Sequence, residues 1–156
     1  MEERQKMNFT KWFVVLIALL LTSLNMTFAA SQDEPKGIIF SAEQIRSQKY
    51  VTAPGPYWTP SQEQVDKLER KLPAYLKDQS NSHSKPLKID LSKYKRQYFG
   101  YSLNGKKVIY INAFCHSFDY WKKTFVFVFD GGQCFFQATF DPEADKFLSF
   151  SVNGDA

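Results

Sequence analysis

The sequence predicts an α+β domain in which one amphipathic helix packs on an antiparallel sheet of four or five strands. One observation is an apolar stripe at helical spacing, formed by Val65, Leu68, Leu72, Tyr75 and Leu76. Another is a series of aromatic-rich strand candidates that fill most of the chain after it. Tight-turn signals separate several of these strands, which indicates a meander, so helix and sheet should form two layers.

The first 29 residues predict a secretory signal peptide. Lys6 and Lys11 precede an apolar run over residues 12–21, and small or polar residues follow up to Ala29. The run is shorter than the roughly 20 apolar residues that span a bilayer, which favours cleavage over an uncleaved anchor. Met7 gives a more ordinary start to this segment than Met1. We therefore expect the rest of the chain outside the cytosol, in the periplasm or secreted, with membrane attachment only through an uncleaved signal.

Length and charge limit the remaining choices. A chain of 156 residues fits one domain after the signal, and its net charge is only +4. This weak positive charge and the expected export argue against a nucleic-acid partner.

Residues 30–58 read as a polar N-terminal segment before the main domain, which spans residues 59–156. Ser41 and Gln44 have the spacing of a capping box for one short helix. The prolines within residues 53–56 exclude helix and central strand, so we interpret that stretch as a linker.

The main helix should begin at Thr59. This threonine suits the N-cap, Pro60 suits the first helical position, and Gln62 completes a capping box. Pro73 interrupts the pattern, which predicts a kink near Leu72 or a second short turn over residues 73–77. Residues 78–86 are predicted to form a polar loop.

Five strands are predicted after that loop, at residues 93–103, 106–114, 124–130, 133–141 and 146–152. Asn104 and Gly105 favour a two-residue hairpin turn with positive φ at both positions. Gly131 and Gly132 predict a second tight turn, and residues 141–145 a third, longer one.

Strand 124–130 is apolar at every position from Phe125 to Phe129, so both of its faces need a cover. The helix accounts for one side of the sheet. The segment near residues 38–40, a twin subunit or a ligand could cover the other, or strong curvature could bury both faces.

A spaced pattern in the last third of the chain resembles small exported bacterial proteins of unknown function. Its residues are Gln97-Tyr98-Phe99-Gly100, Tyr110-Ile111-Asn112-Ala113-Phe114-Cys115, Trp121, Asp130-Gly131-Gly132, Phe135-Phe136 and Val152-Asn153-Gly154. The order of helix and meander also looks like the cystatin-like architecture. These resemblances imply a fold and a location and no activity, because that architecture hosts inhibitors, binding modules and enzymes alike.

Catalytic and metal chemistry find little support in the residue pattern. Cys115 and His116 are adjacent, so in extended backbone their side chains point to opposite faces and cannot pair. Asp141, Glu143 and Asp145 alternate like the start of a calcium loop but lack its glycine and closing glutamate. We therefore predict no catalytic residue, no metal site and no cofactor.

The two cysteines, Cys115 and Cys134, leave a question open. An oxidising compartment and an even count favour a disulfide. A simple meander opposes it, because strand 124–130 would place the cysteines near opposite ends of a strand about 20 Å long.

The favoured function is a non-enzymatic binding or interaction module. Its binding site is predicted at the loop residues Phe118, Tyr120 and Trp121 together with Tyr110, within an aromatic surface that also draws on Tyr98 and Tyr101. The expected partner is an envelope or extracellular protein or polymer. The alternatives are an envelope hydrolase or other enzyme, and a self-associating structural protein that forms a homodimer.

Overall fold

A computed structural model describes residues 36–82 and 86–154, and within them it contains two α-helices and six strands. The helices are α1 (Ala42–Arg46) and α2 (Gln62–Ser82); the strands are β1 (Gly37–Ile39), β2 (Tyr57–Trp58), β3 (Lys95–Leu103), β4 (Lys106–Phe114), β5 (Phe135–Asp141) and β6 (Lys146–Val152). The predicted signal peptide lies outside the described residues. None of the helices in the described part is long and apolar enough to cross a bilayer.

The strands form one sheet in the order β1-β3-β4-β5-β6. Strands β3 to β6 pair antiparallel in sequence order, which confirms the predicted α+β class and meander. On the outer edge of β3, β1 pairs in parallel and β2 pairs antiparallel further along. The polar N-terminal segment, interpreted as leading into the domain, therefore supplies two strands of its sheet.

The predicted tight turn between β3 and β4 and the predicted longer turn between β5 and β6 are present. Asn104 and Gly105 have φ of 51° and 78°, the backbone that the β3–β4 hairpin requires. Between β5 and β6, the Asp141 carboxylate accepts from the backbone N–H groups of Glu143 and Ala144, at 3.0 and 2.8 Å. The sequence therefore sets the register of both hairpins through local turn chemistry.

Helix α2 begins two residues later than predicted. Ser61 and Gln64 form its capping box, with the Gln64 N–H donating to Ser61 Oγ and the Ser61 N–H to Gln64 Oε1. The box predicted from Thr59 is wrong, because the Thr59 hydroxyl accepts instead from the Ala42 N–H at the start of α1. The box predicted at Ser41 is present.

Pro73 does not end α2. The helix continues through it to Ser82, so a separate turn at residues 73–77 and a loop beginning at residue 78 are both wrong. The proline removes one backbone N–H, and the hydrogen bonds on either side are enough to keep the remaining turns helical.

The apolar stripe of α2 packs on the first face of the sheet, as predicted. Its buried residues are Val65, Leu68, Leu72 and Leu76, while Glu63 and Arg70 are exposed. Tyr98, Ile109, Ile111, Ala138 and Phe140 meet this stripe from the sheet.

The second face is covered by residues 115–134, which we call the covering segment. The prediction of a strand at residues 124–130 is wrong, because residues 124–130 pair with no strand of the sheet. Phe125 packs with Phe99 and with Phe40 and Ile45 from the N-terminal segment. The segment near residues 38–40 therefore covers this face together with residues 124–130, which the sequence predicts as a strand of the sheet.

Cys115 and Cys134 form a disulfide with their Cα atoms 5.1 Å apart. Strands β4 and β5 are direct neighbours whose register pairs Phe114 with Phe135. Each cysteine therefore lies one residue beyond the last pair. The geometric objection to the bridge disappears because no strand separates β4 from β5.

Candidate functional site

A buried glutamine fixes the covering segment to the sheet. Gln97 is 0% exposed, and its Nε2 donates to the carbonyl oxygens of Trp121 and Thr124 at 2.6 and 2.8 Å. Its Oε1 accepts from the Val126 N–H at 2.9 Å. One side chain thus replaces the ladder bonds that a strand neighbour would have supplied.

Two asparagines extend this attachment. Asn112, the register partner of Gln97, donates to Gln97 Oε1 at 3.1 Å and to the Val126 carbonyl at 2.7 Å. Asn153 donates to the carbonyls of Val128 and Asp130 at 2.6 and 3.1 Å. Sequence reasoning missed this role, although amides inside aromatic strands are a visible signal because a buried amide must find partners.

A cleft of about 280 Å³ lies where the covering segment meets the sheet. Its lining residues share uncharged side chains: Tyr50, Thr52, Tyr110, Asn112, Phe125, Val126, Phe127, Val128, Phe135, Gln137, Ser151 and Asn153. Ser151 Oγ donates to Gln137 Oε1, and Gln137 Nε2 donates to Asn153 Oδ1, both at 3.2 Å. This hydrogen-bonded chain holds the polar groups of the cleft in fixed orientations.

Tyr50 and Phe127 line the cleft, and Phe129 packs on Phe127 beside it; we call these three residues the aromatic rim. The Tyr50 and Phe127 rings stack with centroids 5.4 Å apart, and Phe129 meets Phe127 edge to face at 4.8 Å. Tyr50 is 61% exposed and Phe129 is 81% exposed. Sequence reasoning missed the rim, because Tyr50 is remote in sequence and Phe127 and Phe129 were assigned to a strand.

Tyr110 is the one predicted site residue that lines this cleft. Burial, with a smaller contribution from Tyr101, raises the pKa of Tyr110 to about 12. Its hydroxyl is protonated at physiological pH, as that of an ordinary tyrosine also is, and can donate a hydrogen bond.

The predicted loop residues lie elsewhere. Trp121 is 2% exposed and packs on Phe114 with ring centroids 6.1 Å apart, so its indole belongs to the core. Phe118 is half-buried against the same phenylalanine, and Tyr120 is 48% exposed. The structure therefore places Tyr110 in a different hydrophobic cluster from Trp121 and Phe118.

The two tyrosines expected in an aromatic surface, Tyr98 and Tyr101, are buried. The Tyr98 hydroxyl donates to Glu69 Oε1 at 2.7 Å. Arg96 Nε lies 3.1 Å from Glu69 Oε1 and donates to the Tyr98 hydroxyl at 3.0 Å. Burial and the Glu69 carboxylate raise the pKa of Tyr98 well above its ordinary value of 10.0. This cluster ties α2 to β3, because its charged groups pair with one another.

Among the described residues, the cysteines and His116 are engaged in other contacts. Both sulfurs are used in the disulfide, and His116 stacks on Phe135 with centroids 5.8 Å apart. Within residues 36–82 and 86–154, no three His, Cys, Asp or Glu side chains are grouped to hold a metal ion.

Comparison with protein-family models, with curated proteins and with solved structures finds no match for this chain. The case for function therefore depends on the geometry of the cleft and the aromatic rim.

Proposed function

We propose that the chain is a non-catalytic binding module whose partner occupies the cleft and contacts the aromatic rim. The observation that carries this proposal is the exposure of Phe129 and Tyr50, 81% and 61%, beside a concave, uncharged cleft. Clustered exposed aromatic side chains usually mark an interaction surface, because leaving them in water gives up stabilisation that burial would provide.

The rigidity of the rim supports the same function. Phe127 and Phe129 belong to a segment closed by the disulfide and held by the amides of Asn112 and Asn153. Because these bonds fix the segment before a partner arrives, binding costs less conformational entropy.

The proposed place of action is outside the cytosol. The predicted signal peptide supports it, and the Cys115–Cys134 disulfide fits an oxidising compartment. The resemblance to small exported bacterial proteins and to the cystatin-like architecture belongs to this proposal as well. The partner would then be an envelope or extracellular protein or polymer.

Cosedimentation with cell-envelope fragments tests the proposed function. We expect the exported form to sediment with fragments from cells that produce it, and Phe129→Ala to reduce the bound fraction about tenfold or more. Tyr120→Ala is the matched control, since Tyr120 is also an exposed aromatic residue of the covering segment and should leave binding unchanged.

Two other outcomes would contradict the proposal. Loss of binding in Tyr120→Ala with full binding in Phe129→Ala would move the site to the loop predicted from the sequence. A dimer in sedimentation velocity that Phe129→Ala dissociates, without any envelope binding, would favour the self-associating structural protein.

A further inference from the structure

We infer that the ligand of the cleft is a neutral carbohydrate, held by stacking on the aromatic rim and by hydrogen bonds to the polar groups of the cleft. This inference rests on the proposed function and names the chemistry of the partner.

Charge is the first argument. None of the side chains that line the cleft carries a charge. A charged ligand placed there would lose its hydration and find no ion of opposite sign among these residues, which is costly. The cleft therefore selects an uncharged ligand.

Hydrogen-bonding capacity is the second argument. The Ser151–Gln137–Asn153 chain uses one Nε2 hydrogen of Gln137 and leaves the other directed away from Asn153. Tyr110 also lines the cleft and carries a hydroxyl that can both donate and accept. Sugar hydroxyls also donate and accept, so they match a mixed set of amide and hydroxyl groups.

The aromatic rim supplies the third argument. A pyranose ring presents a flat face of C–H groups, and an aromatic face carries negative charge density that attracts such polarised hydrogens. Phe129 meets Phe127 through an edge-to-face contact and is 81% exposed, which leaves ring surface for a ligand. A sugar ring has hydroxyls at its edge and C–H groups on its face, and this combination fits the polar cleft and the aromatic rim.

At Val126 and Val128 the covering segment offers few backbone groups to a peptide that would add as a strand. Such a peptide needs free backbone groups on the segment that it joins. The N–H and carbonyl of Val126 are already bonded to Gln97 and Asn112, and the carbonyl of Val128 to Asn153. The volume of about 280 Å³ lies just below the roughly 300–1,000 Å³ of typical ligand pockets, which fits a short sugar segment better than a lipid chain.

Calorimetric titration with defined oligosaccharides tests the inference. The neutral probes are hexasaccharides of cellulose, chitin, starch and mannan, and the anionic probe is an oligogalacturonate. We expect at least one neutral probe to bind and the anionic probe not to bind. Phe129→Ala and Gln137→Leu should each weaken binding about tenfold or more, and Tyr120→Ala should leave it unchanged.

A second variant protects the test against misfolding. Gln137 is half-buried, so Ser151→Ala, at an exposed position of the same hydrogen-bonded chain, should weaken binding in the same direction if Gln137→Leu fails to fold. Absence of binding by every neutral probe at millimolar concentration overturns the inference.

If no neutral probe binds, the envelope-binding assay shows whether the carbohydrate inference fails alone or together with the proposed function. If Phe129→Ala still loses envelope binding, the proposed function stands with a different ligand class, namely an apolar segment of a protein. If Phe129→Ala binds the envelope normally, the proposed function fails together with the inference.

Discussion

Replacing Gln97 with leucine should weaken the attachment of the covering segment to the sheet while leaving the volume of the core nearly unchanged. Gln97 is fully buried and makes four hydrogen bonds, two as donor to the carbonyls of Trp121 and Thr124 and two as acceptor from Val126 and Asn112. Leucine has a similar size and no polar atoms. The substitution therefore removes the hydrogen bonds of Gln97 and little else.

The magnitude follows from the number of bonds. A buried intramolecular hydrogen bond contributes about 1 kcal/mol net, and a buried group left unpaired costs about 1–3 kcal/mol. Four lost bonds at about 1 kcal/mol each give a loss of about 4 kcal/mol, and the loss stays near this value, below the larger unpaired cost, where the covering segment relaxes and water reaches the freed groups. A loss of this size is a large fraction of the roughly 5–15 kcal/mol that stabilises a typical domain.

Urea unfolding provides the assay, with the free energy of unfolding taken by linear extrapolation. Gln62→Leu is the matched control, because Gln62 lies on the exposed start of α2 and its side chain donates to Asp66 in the same helix. It should change stability by less than about 0.5 kcal/mol. A loss below about 1 kcal/mol for Gln97→Leu would refute the role assigned to this glutamine.

Three further outcomes are expected. Leu68→Ala, at a fully buried position of α2, should cost about 2–5 kcal/mol in the same assay, and a loss under about 1 kcal/mol would contradict the packing of helix on sheet. Replacing Cys115 and Cys134 together with alanine should cost about 2–4 kcal/mol, since the disulfide closes a loop with a sequence separation of 19; equal urea midpoints with and without it would contradict this. Hydrogen bonds from Lys71 and Lys67 lower the pKa of Asp145 below its ordinary value of 3.8. The ion pairs of Asp145 with these lysines therefore stabilise the fold above about pH 3.8, and this stabilisation is lost as the pH falls through the lowered pKa. Asparagine tolerates the φ of 56° found at this position. Asp145→Asn should therefore lower the urea midpoint at neutral pH, and the difference in midpoint between the variant and the unmodified protein should disappear in acid; a difference that persists in acid would contradict this.

Local signals predicted the parts of the fold that depend on nearby residues. The apolar stripe of α2 and the Asn104-Gly105 turn each fix their geometry within a few residues, and both are present in the structure. The capping box at Ser41 is of the same kind.

The covering segment could not be predicted in this way. Residues 125–129 have the composition of a strand, yet their partners are side-chain amides far away in sequence, at Gln97, Asn112 and Asn153. Propensity describes the segment alone, and tertiary contacts override it here. The same limit hid the aromatic rim, because Tyr50 meets Phe127 only after the chain has folded.

Hydroxyl-radical footprinting with and without cell-envelope fragments tests the location of the binding surface most directly. The method measures the oxidation of exposed aromatic side chains by mass spectrometry in the unmodified protein. We expect the envelope to protect Phe129 and Tyr50 and to leave the oxidation of Tyr120 unchanged, because only the first two belong to the aromatic rim. Protection of Tyr120 with continued oxidation of Phe129 and Tyr50 would contradict the assignment of the binding surface to the cleft.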